Sequence, residues 1–272
     1  MPPIGKAVIL ARGLGTRMRR PDEDARLDPL QSTIADSGVK AMIPIGRPFL
    51  DYVLSALADA GYWEVCLVIG PEHQAVRDYY TVTAPPKRTR VLFATQANPL
   101  GTADAVLAAA EFAAGEDFLV INSDNYYPVS ALAALRALPE QGTALFEREG
   151  LSRKSNIPPE RIRAFAVCSV GADGYLQSIL EKPDEAALLA AASTSLVSMN
   201  CWRFSSSIFR ACRATPLSSR GEFELPQAVQ YAITRLNERF RVVPFEEAVL
   251  DLSTRADIGA VAERLRNADV RP

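Results

Sequence analysis

Ala7-Val8-Ile9-Leu10-Ala11-Arg12-Gly13-Leu14-Gly15-Thr16-Arg17-Met18 is the stretch whose reading decides the fold. Its first five residues are apolar and end at Arg12. A run that short does not sustain a helix, and an unbroken apolar run matches a strand buried on both faces of a parallel sheet. Gly13 and Gly15 then let backbone N–H groups turn towards one point with no Cβ in the way. Such a concavity holds anions, phosphates above all. Arg17 adds a planar, permanently charged donor fork beside it. The dinucleotide fingerprint G-x-G-x-x-G is not completed, because position 18 is Met. The stretch therefore reads as a phosphate cradle at the carboxyl end of a first strand.

Outward from it, Arg19 to Val39 is charged and aperiodic and is expected to be a long, mobile loop over the site. Pro48 opens a helix that ends at Gly61. Further strands are predicted at 64–69, 90–94 and 118–122, with helices at 71–80 and from Thr102. Strands alternating with helices specify an α/β sheet, parallel in this half. Ligands of such sheets bind beyond the carboxyl ends of the strands. Gly13, Gln96 and Asp124 each follow a predicted strand and should converge on one edge. The second half is richer in strands, predicted at 143–146, 164–170, 176–180, 197–204 and 242–245. Its helices are expected at 184–192, 205–213, 225–237 and 255–267. With no linker or repeat, the expectation is a single domain over 1–272, with a nucleotide half to about 140 and a substrate half after it.

Composition narrows the class. Apolar residues make up 48% and charged residues 23%, ordinary for a globular enzyme. A net charge of −2 gives no footprint for nucleic acid. No apolar run approaches the ~20 residues that span a bilayer, so a cytoplasmic chain without membrane contact is expected. Cys66, Cys168, Cys201 and Cys212 form no C-x-x-C pair and read as buried thiols, and His73 as a surface residue. The 30 basic residues are 25 Arg and five Lys, so Lys40 and Lys182 stand out as places where a compact point charge is wanted.

Seven pieces in order complete the picture: Gly13-Leu14-Gly15-Thr16-Arg17; Lys40 before Pro44-Ile45; Gln96 with Leu100-Gly101-Thr102; Asp124-Asn125; Glu181-Lys182-Pro183; Gly221-Glu222-Phe223-Glu224-Leu225; and Asp251-Leu252-Ser253-Thr254. In these the chain resembles the sugar-1-phosphate nucleotidylyltransferases, or NDP-sugar pyrophosphorylases, most of all the glucose-1-phosphate thymidylyl- and uridylyltransferases. The resemblance implies a Rossmann-like mixed β-sheet flanked by helices, related to GT-A folds. It implies transfer of a nucleotidyl group from a nucleoside triphosphate to a sugar 1-phosphate, with release of pyrophosphate. Both reactants are anions, so the chemistry asks for positioning and charge neutralisation. Mg²⁺ is the implied cofactor, with Asp124 and Asp251 as its carboxylates. Arg17 and Lys40 would act on the triphosphate and Lys182 on the sugar phosphate. Ala11, Gly13, Gly15, Thr16, Gln96, Gly101 and Thr102 would bind the nucleotide. Asn125, Glu181 and Asn200 would contact the sugar. A homo-oligomer is compatible with the resemblance.

The chain departs from the family pattern at several points. Arg12 stands where a small residue is usual, and 22 residues separate Arg17 from Lys40. Val39 replaces the proline common before the lysine, Ala166 replaces a glycine near the sugar, and Met199-Asn200-Cys201-Trp202 replaces an Asn-Ala-Gly run. An altered sugar pocket is expected. Guanylyl or cytidylyl transfer stays open. A GT-A glycosyltransferase is the rival class, although it has no use for the triphosphate loop.

Overall fold

The structure is a computed structural model that describes residues 3–181 and 196–272. Its centre is a nine-stranded sheet with the order β10-β6-β9-β4-β1-β2-β3. The strands are β1 (Lys6–Leu10), β2 (Glu64–Ile69), β3 (Arg90–Thr95), β4 (Phe118–Asn122), β6 (Gly142–Glu147), β9 (Leu196–Phe204) and β10 (Arg241–Phe245). Off this path, β7 (Ala166–Val170) pairs with β9 and with β8 (Leu176–Leu180). A separate pair joins β5 (Asn125–Tyr126) to β11 (Leu250–Asp251).

The apolar run of β1 is central because both its edges and both its faces are covered. It runs parallel to β2 and β4, and Ala7, Val8 and Ile9 have no exposed surface. The β3-β2-β1-β4 quartet is parallel, as the alternation of strands and helices requires, and its carboxyl ends share one edge. β9 reverses direction, running antiparallel to β4 and β6. Both halves of the chain thus contribute strands to one mixed sheet. Alternate residues of β1 point into different layers: Ala7 and Ile9 pack on the side of the helix Phe49–Asp59, and Val8 and Leu10 on the side of Thr102–Ala108.

Three sequence expectations are corrected. The 19–39 stretch is not all loop, because it contains the helix Pro29–Ser37. Asp28 caps that helix by accepting from the Gln31 N–H at 2.8 Å, while Gln31 Oε1 accepts from the Asp28 N–H, and Gly38 ends it with φ at 76°. The expected 71–80 helix begins at Gln74 and passes into a π-helical segment, Tyr79–Thr83. His73 is not a surface residue. It is buried, and its Nδ1 accepts the Gly70 N–H at 3.3 Å, so the ring is a structural acceptor that must stay neutral. Helices Val129–Ala137, Arg148–Lys154 and Pro159–Arg163 were not anticipated. The expected 184–192 helix lies outside the described residues.

Candidate functional site

The glycine loop leaves β1 where Ala11 N–H donates to Val68 O at 2.9 Å. Gly15 has φ at 62° and begins the short helix Thr16–Arg19. A Cβ on Gly15 would lie 2.2 Å from the Gly38 carbonyl oxygen, so this glycine is dictated by close backbone approach. Gly13 differs: a Cβ there would meet nothing within 4 Å. Its side faces a cavity of about 370 Å³ whose wall also holds Ala11, Thr16, Lys40, Gln96 and Asp124. The predicted convergence of Gly13, Gln96 and Asp124 on one edge is thus observed.

The far end of that cavity is clamped by two sequence pieces. Gly101 has φ at 108°, and a Cβ there would lie 2.6 Å from Phe223 O. Phe223 N–H donates to Leu100 O at 2.7 Å, and Leu225 N–H donates to Thr102 Oγ1 at 2.9 Å. The Gly221–Leu225 piece therefore shapes the loop after β3. Thr102, expected on the nucleotide, has its hydroxyl oxygen engaged in holding that clamp. Gln96 is nearly buried, and both hydrogens of its carboxamide are committed, to Gly101 O at 3.0 Å and to Asp104 Oδ2 at 2.7 Å. Both partners are acceptors, so the amide orientation follows from chemistry and Oε1 remains as an acceptor.

A second cavity, about 200 Å³, adjoins the first. Arg17, Asn125, Glu181, Asn200 and Asp251 line it, and Asn122, Asp124 and Asn200 belong to both walls. Lys182 lies outside the described residues. Lys40 Nζ is ion-paired with Asp124. Asp251 is buried and held on every side. Its Oδ1 accepts from Asn125 Nδ2 and from Ser253 Oγ, each at 3.1 Å, and its Oδ2 accepts from Arg161 at 2.7 Å. Burial first, and the nearby Asp124 charge second, raise its carboxyl above the usual range, against the pull of Arg161 and Ser253.

Asn125, expected at the sugar, acts as scaffold: Asn122 Nδ2 donates to its Oδ1 at 3.1 Å, and its own Nδ2 holds Asp251. Two further contributors were not foreseen, and Arg12, noted in the sequence only as a departure from the family pattern, is a third. Arg161 bridges Asp251 and Asp257 and neutralises the carboxylate from behind. Asn156 grips the Asp251 backbone through both ends of its amide, at 2.8 and 2.9 Å. They are the two ends of the run Asn156-Ile157-Pro158-Pro159-Glu160-Arg161. Arg12 lies along the first cavity beside Gln96, with Nε donating to Gln96 O at 3.2 Å and its guanidinium 2.6 Å from Glu72. Burial pushes the thiols of Cys66, Cys168 and Cys212 up to about 12, so none is a nucleophile at neutral pH.

The donor set suits a hard divalent cation. Two carboxylates close enough to interact leave the remaining positions to phosphate oxygens and water, as Mg²⁺ prefers. Among the described residues there is no cluster of three or more His, Cys, Asp or Glu that could form a self-sufficient cage.

Comparison with known proteins bears on the family and the fold. The family model described as nucleotidyl transferase matches residues 6–262. A "Bifunctional protein GlmU" of Methanococcus vannielii is 29% identical over 229 residues, covering 84% of this chain and 47% of that protein. The "UTP--glucose-1-phosphate uridylyltransferase AglF" of Haloferax volcanii is 24% identical over 263 residues, covering 96% of each. A "Glucose-1-phosphate thymidylyltransferase" of Streptomyces griseus is 28% identical over 236 residues, covering 84% of this chain and 57% of that protein. The chain spans about half the length of the first curated relatives, 47% and 56%. The fold is shared with a solved UDP-glucose pyrophosphorylase complexed with UDP-glucose, at a TM-score of 0.73 and 18% identity over 97% of this chain and 98% of that one. The strand order, the glycine loop and the match over 6–262 have one reading: this chain belongs to the nucleotidyl transferase family.

Proposed function

We propose that the chain transfers a nucleotidyl group from a nucleoside triphosphate to a sugar 1-phosphate, releasing pyrophosphate. The observation that carries this reading is the pair of adjoining cavities with Asp124 on both walls and Lys40, Arg17 and Asp251 around their meeting place. One cavity has the glycine loop and the size for a nucleotide. The other is small and lined mainly by polar groups.

In this reaction a sugar-phosphate oxygen forms a bond to the α-phosphorus while the bond from that phosphorus to the pyrophosphate oxygen breaks. The nucleophile is already ionised, so no general base is needed. That accords with the one histidine, which is buried behind the loop. The Gly13–Thr16 amides cradle the triphosphate and Arg17 offsets charge on the departing pyrophosphate. Lys40 holds phosphate oxygens beside the reacting centre and exchanges its Asp124 contact for them. Asp124 and Asp251 would hold Mg²⁺, which when bound neutralises phosphate charge and aligns the two substrates. Arg161 and Asn156 keep Asp251 in one orientation.

The Gln96 amide favours uracil or thymine. An acceptor reads the imide N–H that these bases carry at N3, and cytosine has an acceptor there instead. UTP or dTTP is therefore the proposed triphosphate, with guanine, which also carries a ring N–H, as the competitor. Glu181 and Asn125 line the sugar side, and Ala166 narrows it. The test is a matrix of UTP, dTTP, CTP, GTP and ATP against hexose 1-phosphates, read by pyrophosphate release. Turnover confined to CTP or ATP would contradict the base assignment. No release with any pair would contradict the reaction.

A further inference from the structure

The wall shared by the two cavities consists of Asn122, Asp124 and Asn200. The first two have side chains committed elsewhere, Asn122 to Asn125 and Asp124 to Lys40. Asn200 stands apart. It lies within β9 yet has φ at 56°, a left-handed conformation that Asn tolerates better than most side chains. The pairing of β9 with β6 is interrupted at that point: Thr143 faces Trp202 and Leu145 faces Ser198, so residues 199–201 bulge opposite Ala144. Bulges re-aim side chains, and this one is held in place. The Tyr127 hydroxyl donates to Met199 O at 2.6 Å, and Asn200 N–H donates to Ser198 Oγ at 3.2 Å.

The orientation of the amide follows from its neighbour. Trp202 has no exposed surface and stacks on Phe204, and its indole N–H has Asn200 Oδ1 as its acceptor at 3.3 Å. An indole nitrogen only donates, so the Asn200 atom facing it is the oxygen. Nδ2 and its two hydrogens point away from Trp202, and they make no hydrogen bond among the described residues.

We infer that Asn200 Nδ2 donates to the diphosphate that links nucleoside and sugar in the product, rather than reading the base or a sugar hydroxyl. The inference rests on the nucleotidyl-transfer reading. A group on the wall common to both cavities meets the portion of the product common to both, and that portion is the diphosphate. A neutral amide adds a donor there without adding charge beside Lys40 and Arg17. Asn200 makes and breaks no bond in the step. It holds a non-bridging oxygen so that the attacking and leaving oxygens stay in line.

The test compares Asn200→Asp and Asn200→Gly with the unaltered chain. Asp keeps size, the left-handed backbone and an oxygen for Trp202, but places an anionic oxygen where the donor was. Gly accepts the backbone and removes the side chain. Calorimetry with UDP-glucose and dTDP-glucose is set against inhibition by uridine and thymidine, which lack phosphate. The expected result is about a tenfold or greater loss of nucleotide-sugar affinity in Asn200→Asp, a smaller loss in Asn200→Gly, and unchanged nucleoside inhibition. Should Asn200→Asp not fold, Asn200→Gly decides by the same comparison. Full nucleotide-sugar affinity in the folded variants overturns the inference. An unaltered chain that binds neither nucleotide sugar overturns the assignment of base and sugar from which these probes were chosen, and this inference with it.

Discussion

Gly13 and Gly15 lie two residues apart and are glycines for different reasons. Gly15 is required by the fold, through its positive φ and its contact with Gly38. Gly15→Ala is expected to destabilise the protein by about 2 kcal/mol or more, read as a lowered denaturation midpoint. Gly13→Ala should leave that midpoint unchanged and weaken triphosphate binding, because its Cβ would enter open cavity. Asp124→Asn and Asp251→Asn should each lower kcat by about a hundredfold or more at saturating Mg²⁺. Near-normal turnover in either would remove that residue from the site. His73 gives a pH prediction. Burial, the largest cause, lowers its pKa below the ordinary histidine value. The neutral ring's contribution is therefore complete above the unfolded-state pKa and is lost as pH falls through the folded one. Stability should drop on acidification from about pH 6.5. His73→Asn should show a shallower drop over the same range, because it has no ring to protonate. Among these residues, Gly13, Lys40 and Asp124 were legible because each sits in a local motif. Arg161 was not, since its meaning comes from Asp251, 90 positions away.

The elements divide in the same way. β2 and β4 coincide with the runs predicted at 64–69 and 118–122, because a buried parallel strand is marked by its own residues. The helix Pro29–Ser37 is the instructive miss. Its charge and weak apolar pattern suggested loop, yet Asp28-Pro29-Leu30-Gln31 is a capping box with proline at the first turn. Tertiary ties hold it as well: Arg255, buried at the start of the last helix, pairs with Asp36, and Gln31 Nε2 donates to Pro44 O at 2.8 Å. Any lid movement therefore belongs to 20–28 and not to the helix. Hydrogen exchange should show 29–37 protected with or without nucleotide and Mg²⁺, and 20–28 slowing only when both are bound. Ligand-dependent protection spread evenly over 19–39 would contradict this division.

At the scale of the molecule, the parallel quartet was readable from alternating strands and helices. The mixed sheet was foreseen through the family resemblance and not through local pattern, because the reversal of β9 depends on which edge it joins, and no local pattern encodes that. The β5–β11 pair is the same kind of feature. It is two residues long on each side, and it brings Asn125 opposite Asp251. Through it the last segment of the chain supplies the second carboxylate to a site begun by the first strand. Thus the site depends on the closure of the whole sheet rather than on the first half of the chain alone.

Phosphorus NMR of one reaction tests the central claim most directly. The chain is mixed with UTP or dTTP, a hexose 1-phosphate and Mg²⁺, and the phosphorus species are followed with time. Nucleotidyl transfer predicts that sugar phosphate and triphosphate disappear together, with one diphosphate-linked product and one pyrophosphate formed for each pair consumed. Release of nucleoside diphosphate or inorganic phosphate, with the sugar phosphate left intact, would contradict the account.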